Sequence, residues 1–558
     1  MVVFYTSIRV VPQKLEAFVP AKYAGTGAFF YILRQEGSEH KAYKTDPSLI
    51  ATITTNYKKG IFHSISEKVG RDMITPSCNT IEQLAGAYSV IPICKEIYAD
   101  VITPITLLRK LSQISQSFFL LESIEGGEKW GRYSFLGYDP IVSISCKKGD
   151  ICVRQEGKET IYKGNPLEVV RKLLRNYKAP KLPGMPPFTG GLVGYFSYGM
   201  ICYAEPVLKL KESDTQDMEL LLFDKVIAYD HLKQKICIVV NMKTDQVMEN
   251  YGQALATIEH ILHLIKEPVK PEAIETACQT EFSCNTTKEE YMDMVERTKN
   301  YIVNGDIFQA VISRKFETEY NKSLLGAYRV LRTTNPSPYM VFFQSKELQL
   351  ISTSPETLVR LKEGGLTTFP IAGSRPRGVD SEMDEALGRE LMEDEKELSE
   401  HNMLVDLARN DLGKISEYKS VRVTDYMSIK RYSKIMHITS EVEGKIRQDK
   451  DALDAIEALL PAGTLSGAPK LRACEIIEEL EKAPRGIYGG AIGYIDFSGN
   501  MDTCIAIRMA VKKNGRVTVQ AGSGIVADSN PEKEYEESFH KAGAVMEAIK
   551  NAGEVEEL

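Results

Sequence analysis

Apolar positions along the first 79 residues follow neither the helical nor the strand period for long, and polar runs such as SEHKAYKTDPSL interrupt them. Absent periodicity argues against a packed element there. Residues 1–78 therefore read as an extension outside the patterned chain, with no chemistry assigned and Met73 as the expected initiator of a mis-called start. Regular patterns begin at residue 80. A Thr80-x-x-Gln83 capping box predicts a short helix over 80–87, and a second helix is expected over 103–112. Apolar and β-branched runs then predict strands over 117–121, 132–136, 141–145, 151–154, 220–229 and 235–241, with GYDP, KKGD and RQEG turns between them.

A Pro/Gly-rich segment at 179–199 contains GGLVG, but no helix pattern follows it and no GK[ST] is present, so it reads as loop and strand rather than a nucleotide loop. Residues 266–286 form a polar, proline-bearing linker, which divides an N-terminal part (79–265) from a C-terminal part (287–550). The second part opens on an amphipathic helix over 287–304. Thr287 and Glu290 make its capping box, Tyr291, Met294, Val295, Thr298 and Ile302 share one face, and Gly305 ends it. Strands are expected over 308–316, 339–343, 348–352, 488–497, 503–512 and 516–521, and a helix over 470–480. Hairpin-like strand pairs separated by long helices predict an α+β protein, not a doubly wound parallel sheet.

Composition narrows the function without naming it. The 558 residues are 43% apolar and 26% charged, with a formal net charge of −7. That balance argues against nucleic-acid binding and against a polybasic membrane surface, although one local basic pocket suffices for an anionic substrate. No apolar run reaches bilayer-spanning length, and the N-terminus lacks the plan of a signal peptide. Ten scattered cysteines without a CxxC pair read as reduced thiols of a cytoplasmic protein, with no structural zinc site. No GxSxG is present, which removes the serine-hydrolase reading.

Several constellations could carry chemistry. Glu397-x-x-Glu400-His401 and Glu534-x-x-Glu537 each place two carboxylates on one helix face. Acidic helices commonly just present a solvated face, but two such helices could frame a four-carboxylate Mg²⁺ site. The segment 521–531 reads as a strand ending in a Gly-Ser-Gly turn, which is either an ordinary turn or a backbone anion cradle. Small residues over 461–470 permit close ligand approach, and Thr464 adds a hydroxyl. The segment 371–378 reads as a turn carrying two arginines, either solvated or a fork for a carboxylate. His437 lies in an alternating strand, where a lone histidine is more often structural.

Together the segments LLESIEGGEKWGRYSFLG, PIAGSRPRG, DEKELSEHNMLVDLARNDLG, PAGTLSGAPKLRA, YGGAIGYIDFSGNMDTCIAIR and AGSGIVADSNPEKEYEES closely resemble the anthranilate synthase component I family of chorismate-utilising enzymes. The resemblance covers residues 79–548. It implies an α+β orthogonal β-sandwich of antiparallel sheets flanked by helices, with the N- and C-terminal parts interleaved. It also implies a lyase that aminates chorismate and eliminates pyruvate to give anthranilate, the first committed step of tryptophan biosynthesis. By the same carry-over, Mg²⁺ would be held by Glu400 and Glu537 with Glu397 and Glu534 close by. Arg508 and Tyr488 would hold the enolpyruvyl carboxylate, helped by backbone N–H groups at Gly522 and Gly524. Gly373 and the catalytic positions Thr464 and Lys541 would complete the pocket, with catalytic His437 beside the departing C4 hydroxyl as a general acid or as an aid to the later proton loss and aromatisation.

Two positions separate reactions within the family. Gln309 stands where isochorismate and salicylate synthases carry a water-activating lysine, and Ala372 stands where aminodeoxychorismate synthases carry a nucleophilic lysine. Both point to ammonia as nucleophile and anthranilate as product. Ser374 replaces the usual threonine conservatively. No glutaminase motif occurs in the chain, so the resemblance implies a separate glutamine amidotransferase subunit, anthranilate synthase component II. Glu122 and Ser123, with Pro338, Tyr339 and Met340, match the family's tryptophan feedback site. The alternatives are an aminodeoxychorismate synthase component I and a non-catalytic tryptophan-sensing subunit.

Overall fold

A computed structural model describes residues 16–20, 30–36, 39–44, 74–123, 131–269, 280–432 and 435–554. The chain divides into two compact units, Met1–Met73 and Ile74–Leu558. In the first, the strands Glu16–Pro20, Phe30–Glu36 and Glu39–Lys44 form an antiparallel sheet with Phe30–Glu36 in the middle. The sequence pattern gave no element here. Pairing of short neighbouring strands satisfies backbone groups without any sustained apolar period.

The second unit is an α+β sandwich of two large antiparallel sheets flanked by helices, the fold expected. Each sheet takes strands from both parts of the chain. In one, Gly191–Phe196 pairs with Ala491–Asp496; in the other, Phe118–Glu122 pairs with Tyr339–Gln344. At the first junction Gly194 lies opposite Gly493. A Cβ would come within 2.0 Å of the Glu219 carbonyl oxygen at Gly194, and within 2.1 Å of the Asp502 carbonyl oxygen at Gly493. Between the sheets, Phe119, Phe135 and Val341 of one layer meet Val193, Phe223 and Ile492 of the other. Phe119 and Phe223 pack edge to face at 4.8 Å. Each such buried side chain contributes about 1.5–3 kcal/mol of hydrophobic stabilisation.

Local rules explain most helices. Lys288–Val303 starts at the Thr287/Glu290 capping box and buries Tyr291, Met294, Val295 and Thr298, with Ile302 packed alongside. Pro104–Ile114 is capped by Thr103, and Lys470–Leu480 has the predicted bounds. The first helix differs. It runs Cys78–Leu84 with Ser77 as its cap, and Thr80 lies inside the first turn, bonded to the Ser77 hydroxyl.

The strands show four departures from the sequence pattern. The run 220–229 is two strands, Met218–Phe223 and Lys225–Asp230, in different sheets, so the chain changes layers at Asp224. The run 503–512 likewise splits into Met501–Ile505 and Met509–Lys513. Arg508 sits in that break at φ +45°, not within a strand. Segment 371–378 is not a turn but the strand Ile371–Pro376, with a bulge at Gly373. The Gly-Ser-Gly run is not a turn either, because Arg516–Ile525 continues through it, with Gly522 paired to Ser313 and Gly524 to Val311. Among the described residues, no helix is long and apolar enough to cross a membrane.

Candidate functional site

The site forms where the strand Gln349–Ser354 ends, facing the short 3₁₀ turn Gly463–Leu465 and the break that carries Arg508. Glu356, just past the strand, accepts a hydrogen bond from the Thr464 hydroxyl at 2.9 Å. Its enclosed position pushes its carboxyl up to about 7, a rise that Thr464 and the positive charges of Lys541 and Arg508 only partly oppose. Among the described residues the Arg508 guanidinium hydrogen-bonds nothing, and burial lowers its pKa while Glu356 acts in the other direction. An unpaired guanidinium next to a protonated acid is a receptor for an external carboxylate.

His437 lies on the strand Ile435–Lys445 opposite the Gly373 bulge, and its Nδ1 donates to the Gly373 carbonyl oxygen at 3.0 Å. That bond fixes the proton on Nδ1 and leaves the Nε2 lone pair free. Burial lowers the imidazole to about 4, and the nearby Arg508 charge also disfavours a second proton. With its proton on Nδ1, His437 can accept at Nε2.

Two helices bring up the acids. Glu395–Gly413 is capped by Asp394, which also accepts from Arg375 at 3.0 Å, tying the helix start to the Gly373 strand. Behind Glu400, His401 bonds the Ser440 hydroxyl at 2.7 Å and anchors the helix to the strand bearing His437. Pro531–Lys550 is capped by Asn530. Burial, followed by the influence of neighbouring acids, raises Glu397 and Glu400, and Glu537 is one of the acids acting on each. Burial also raises Glu534, with Glu537 again adding to the rise. Lys541 pairs with Glu537 at 2.7 Å, and its Nζ donates to the Gly522 carbonyl oxygen at 3.3 Å. Its charge also acts on Glu356, Glu400 and Glu534, linking the acids to the Glu356 pocket. The four carboxylates therefore share one electrostatic environment of hard oxygen donors, offset only in part by Lys541, Lys396 and Arg375, which fits a divalent cation. Among the described residues, however, no three acidic, histidine or cysteine groups stand at joint ligating distance.

Tyr488 is buried, and burial raises the pKa of its hydroxyl while the neighbouring Gly522 backbone acts in the other direction. Gly524 has no room for a side chain: a Cβ would lie 2.5 Å from Gln309 Nε2 and 4.0 Å from Glu400 Oε1. The arginines of segment 371–378 are not a free fork. Arg375 is held by Glu390 and Asp394, and Arg377 by Asp384.

A separate cavity of about 580 Å³ is lined by Glu122, Ser123, Pro338, Tyr339 and Met340, so five residues from two distant segments meet as expected. Glu122 is buried and accepts from Arg332 and Tyr328, each at 2.7 Å, and from Ser134 at 3.1 Å. Tyr339 donates to Asp502 at 2.8 Å and bonds the Thr357 hydroxyl at 2.9 Å, one residue from Glu356.

Glu356 is the residue that sequence reasoning missed. It stands alone in STSPETLV, with no spaced partner to mark it. Its signal was an acid in a Ser/Thr/Pro-rich break between two apolar strand runs, where a solvated turn would be the ordinary expectation.

This two-sheet sandwich, with its paired glutamate helices beside an unsaturated arginine, defines a member of the chorismate binding enzyme family, and residues 116–547 match that family. The chain is 44% identical over 494 residues to anthranilate synthase component 1 of Acetivibrio thermocellus, covering 87% of this chain and 100% of the relative. The counterpart from Pseudomonas aeruginosa is 44% identical over 477 residues, covering 83% and 96%. Among solved structures, anthranilate synthase component I from Streptococcus pneumoniae is 36% identical with a TM-score of 0.67, covering 80% of this chain and 98% of its own. The menaquinone-specific isochorismate synthase of Escherichia coli, at 18% identity and a TM-score of 0.62, shares the fold.

Proposed function

We propose that the chain is the large subunit of an anthranilate synthase, a lyase converting chorismate and ammonia to anthranilate, pyruvate and water. The observation that carries this reading is the Glu356–Thr464 pair beside the unpaired Arg508 guanidinium, in a chain related to anthranilate synthase component 1 along most of its length. Arg508 and Tyr488 would bind the enolpyruvyl carboxylate. Glu356, protonated near neutrality, would donate to the C4 hydroxyl as the C4–O bond breaks and water leaves. Ammonia would attack C2. His437 Nε2 would then take the C2 proton as the enolpyruvyl C–O bond breaks and the ring becomes aromatic.

Glu400 and Glu537 would hold Mg²⁺ with Glu397 and Glu534 nearby. When bound, the ion would neutralise the ring carboxylate and draw electron density from the ring. Gln309 lacks the basicity to activate water and Ala372 cannot form a covalent adduct, which supports ammonia as the nucleophile. A glutamine amidotransferase subunit would supply that ammonia, and tryptophan would occupy the 580 Å³ cavity as a feedback inhibitor. Incubating the chain with chorismate, Mg²⁺ and ammonium should yield anthranilate fluorescence. A properly folded preparation that produced none would overturn the reading.

A further inference from the structure

A buried ion pair lies behind the substrate end of the pocket. Arg485 is a nearly inaccessible side chain, and it forks onto Glu481 through Nε at 2.9 Å and Nη2 at 2.5 Å. Burying two charges costs more than their attraction returns unless the remaining donors and acceptors are also used. Here they are. Arg485 donates to the carbonyl oxygens of Leu465 at 2.5 Å and Val311 at 2.6 Å. Glu481 accepts from the Ser313 backbone N–H at 2.7 Å and its hydroxyl at 2.8 Å. The guanidinium lies over the Tyr198 ring at 4.7 Å and the Tyr488 ring at 5.7 Å.

Every one of these bonds ends next to a position assigned to the substrate. Leu465 follows Thr464, Val311 pairs with Gly524, Ser313 pairs with Gly522, and Tyr488 is itself one of those positions. We infer that the Arg485–Glu481 pair is a positioning device that holds the turn, the strand and the tyrosine of the carboxylate-binding end in one geometry. This rests on the proposed chorismate site, but not on the identity of the product. The pair does not itself touch the substrate. A planar fork serves this task because it fixes several acceptors in one plane, which a lysine ammonium cannot do.

The test uses Arg485→Met, Arg485→Lys, Glu481→Gln and Ser313→Ala in the full chain. Chorismate binding is read by thermal shift and turnover by ammonium-dependent kinetics. Displacing a binding group by a fraction of an ångström should raise the chorismate KM and Kd of the folded Arg485 and Glu481 variants by about tenfold or more. The KM for ammonium should be unchanged. Arg485→Lys should resemble Arg485→Met, and Ser313→Ala should give a smaller shift of the same kind. A purely structural role predicts the opposite split, with a lowered Tm and active fraction but wild-type chorismate KM and Kd, and would overturn the inference. If the Arg485 variants do not fold, wild-type chorismate affinity in Ser313→Ala and Glu481→Gln has the same force. If wild type binds chorismate yet makes no anthranilate, the proposed function fails while the binding comparison still decides the positioning role.

Discussion

The Thr464 hydroxyl donates to Oε1 of Glu356 across 108 residues of sequence, joining a 3₁₀ turn to the end of a strand. This bond stabilises the ionised carboxylate, yet enclosure outweighs it and the acid stays protonated near neutrality. The kcat/KM of wild type should therefore fall as pH rises through about 7, and Glu356→Gln should remove that limb along with most of the turnover. Stability gives a second sign. A carboxyl raised in the fold binds its proton more tightly there than in the unfolded chain. The cost of ionising it thus grows as pH rises from its unfolded value toward about 7. Glu356→Gln should escape that cost, so its Tm relative to wild type should be higher at pH 8 than at pH 5, roughly the two ends of that window. Parallel Tm curves would contradict the assignment.

Arg508 makes the complementary case. Its guanidinium is a charge waiting for a partner, so Arg508→Met should cost chorismate about 1.5–3 kcal/mol of binding, or roughly 10- to 150-fold in kcat/KM. The same change removes an unpaired cation from a desolvated place, and Tm is expected to rise. A fall in both Tm and affinity would mean that the arginine is structural.

Metal binding should depend on pH in a predictable direction. Glu397, Glu400 and Glu534 hold their protons above the ordinary carboxylate range, and a cation binds the ionised forms. The Mg²⁺-induced rise in Tm should weaken as pH falls, before ordinary surface carboxylates titrate. Glu400→Gln should weaken it at every pH and abolish ammonia-dependent turnover, as should chelation of the metal in wild type. Intact turnover in that variant would exclude the assigned site.

Tryptophan should stabilise the folded chain if it occupies the cavity beside Glu122. At about 100 times its Kd, the gain is about 2.7 kcal/mol, which a thermal shift would register. Glu122→Ala should lose that shift and destabilise the apo-protein by about 3 kcal/mol, because the partly buried Arg332 and the buried Tyr328 lose their acceptor. An apo-protein of unchanged stability would contradict the anchoring role of Glu122.

What the sequence revealed followed the range of the interactions involved. The helix Lys288–Val303 was legible because Thr287, Glu290 and the buried face all act within one element. The glutamate pairs and the cavity residues were legible as motifs of a known family, since their meeting depends on the whole fold. The layer change at Asp224 was hidden because apolar residues continue on both sides while the sheet they join changes. Arg508 looked like a strand residue for the same reason; its positive φ is imposed by the turn between the sheets. Glu356 acquires its meaning only from Thr464, Arg508 and Lys541, none of which is near it in the chain.

Gly373 shows how one such constraint can be tested. It forms the bulge in Ile371–Pro376 at φ +60°, a conformation that costs a residue with a side chain about 1–2 kcal/mol. A Cβ there would lie 3.0 Å from Leu391 Cδ1, 3.2 Å from Glu397 Oε2 and 3.2 Å from Ile438 Cδ1. The carbonyl of the same residue holds His437 Nδ1. Gly373→Ala should therefore lower Tm through backbone strain and crowding, and it should also displace Glu397 and rotate the imidazole. Those last two effects predict a weaker Mg²⁺-induced shift and a lower kcat at saturating chorismate. Relieving the Leu391 contact with Leu391→Ala in the same chain should restore little of either, because the positive φ and the contact with Glu397 remain. Recovery of both in the double variant would instead locate the constraint in side-chain packing.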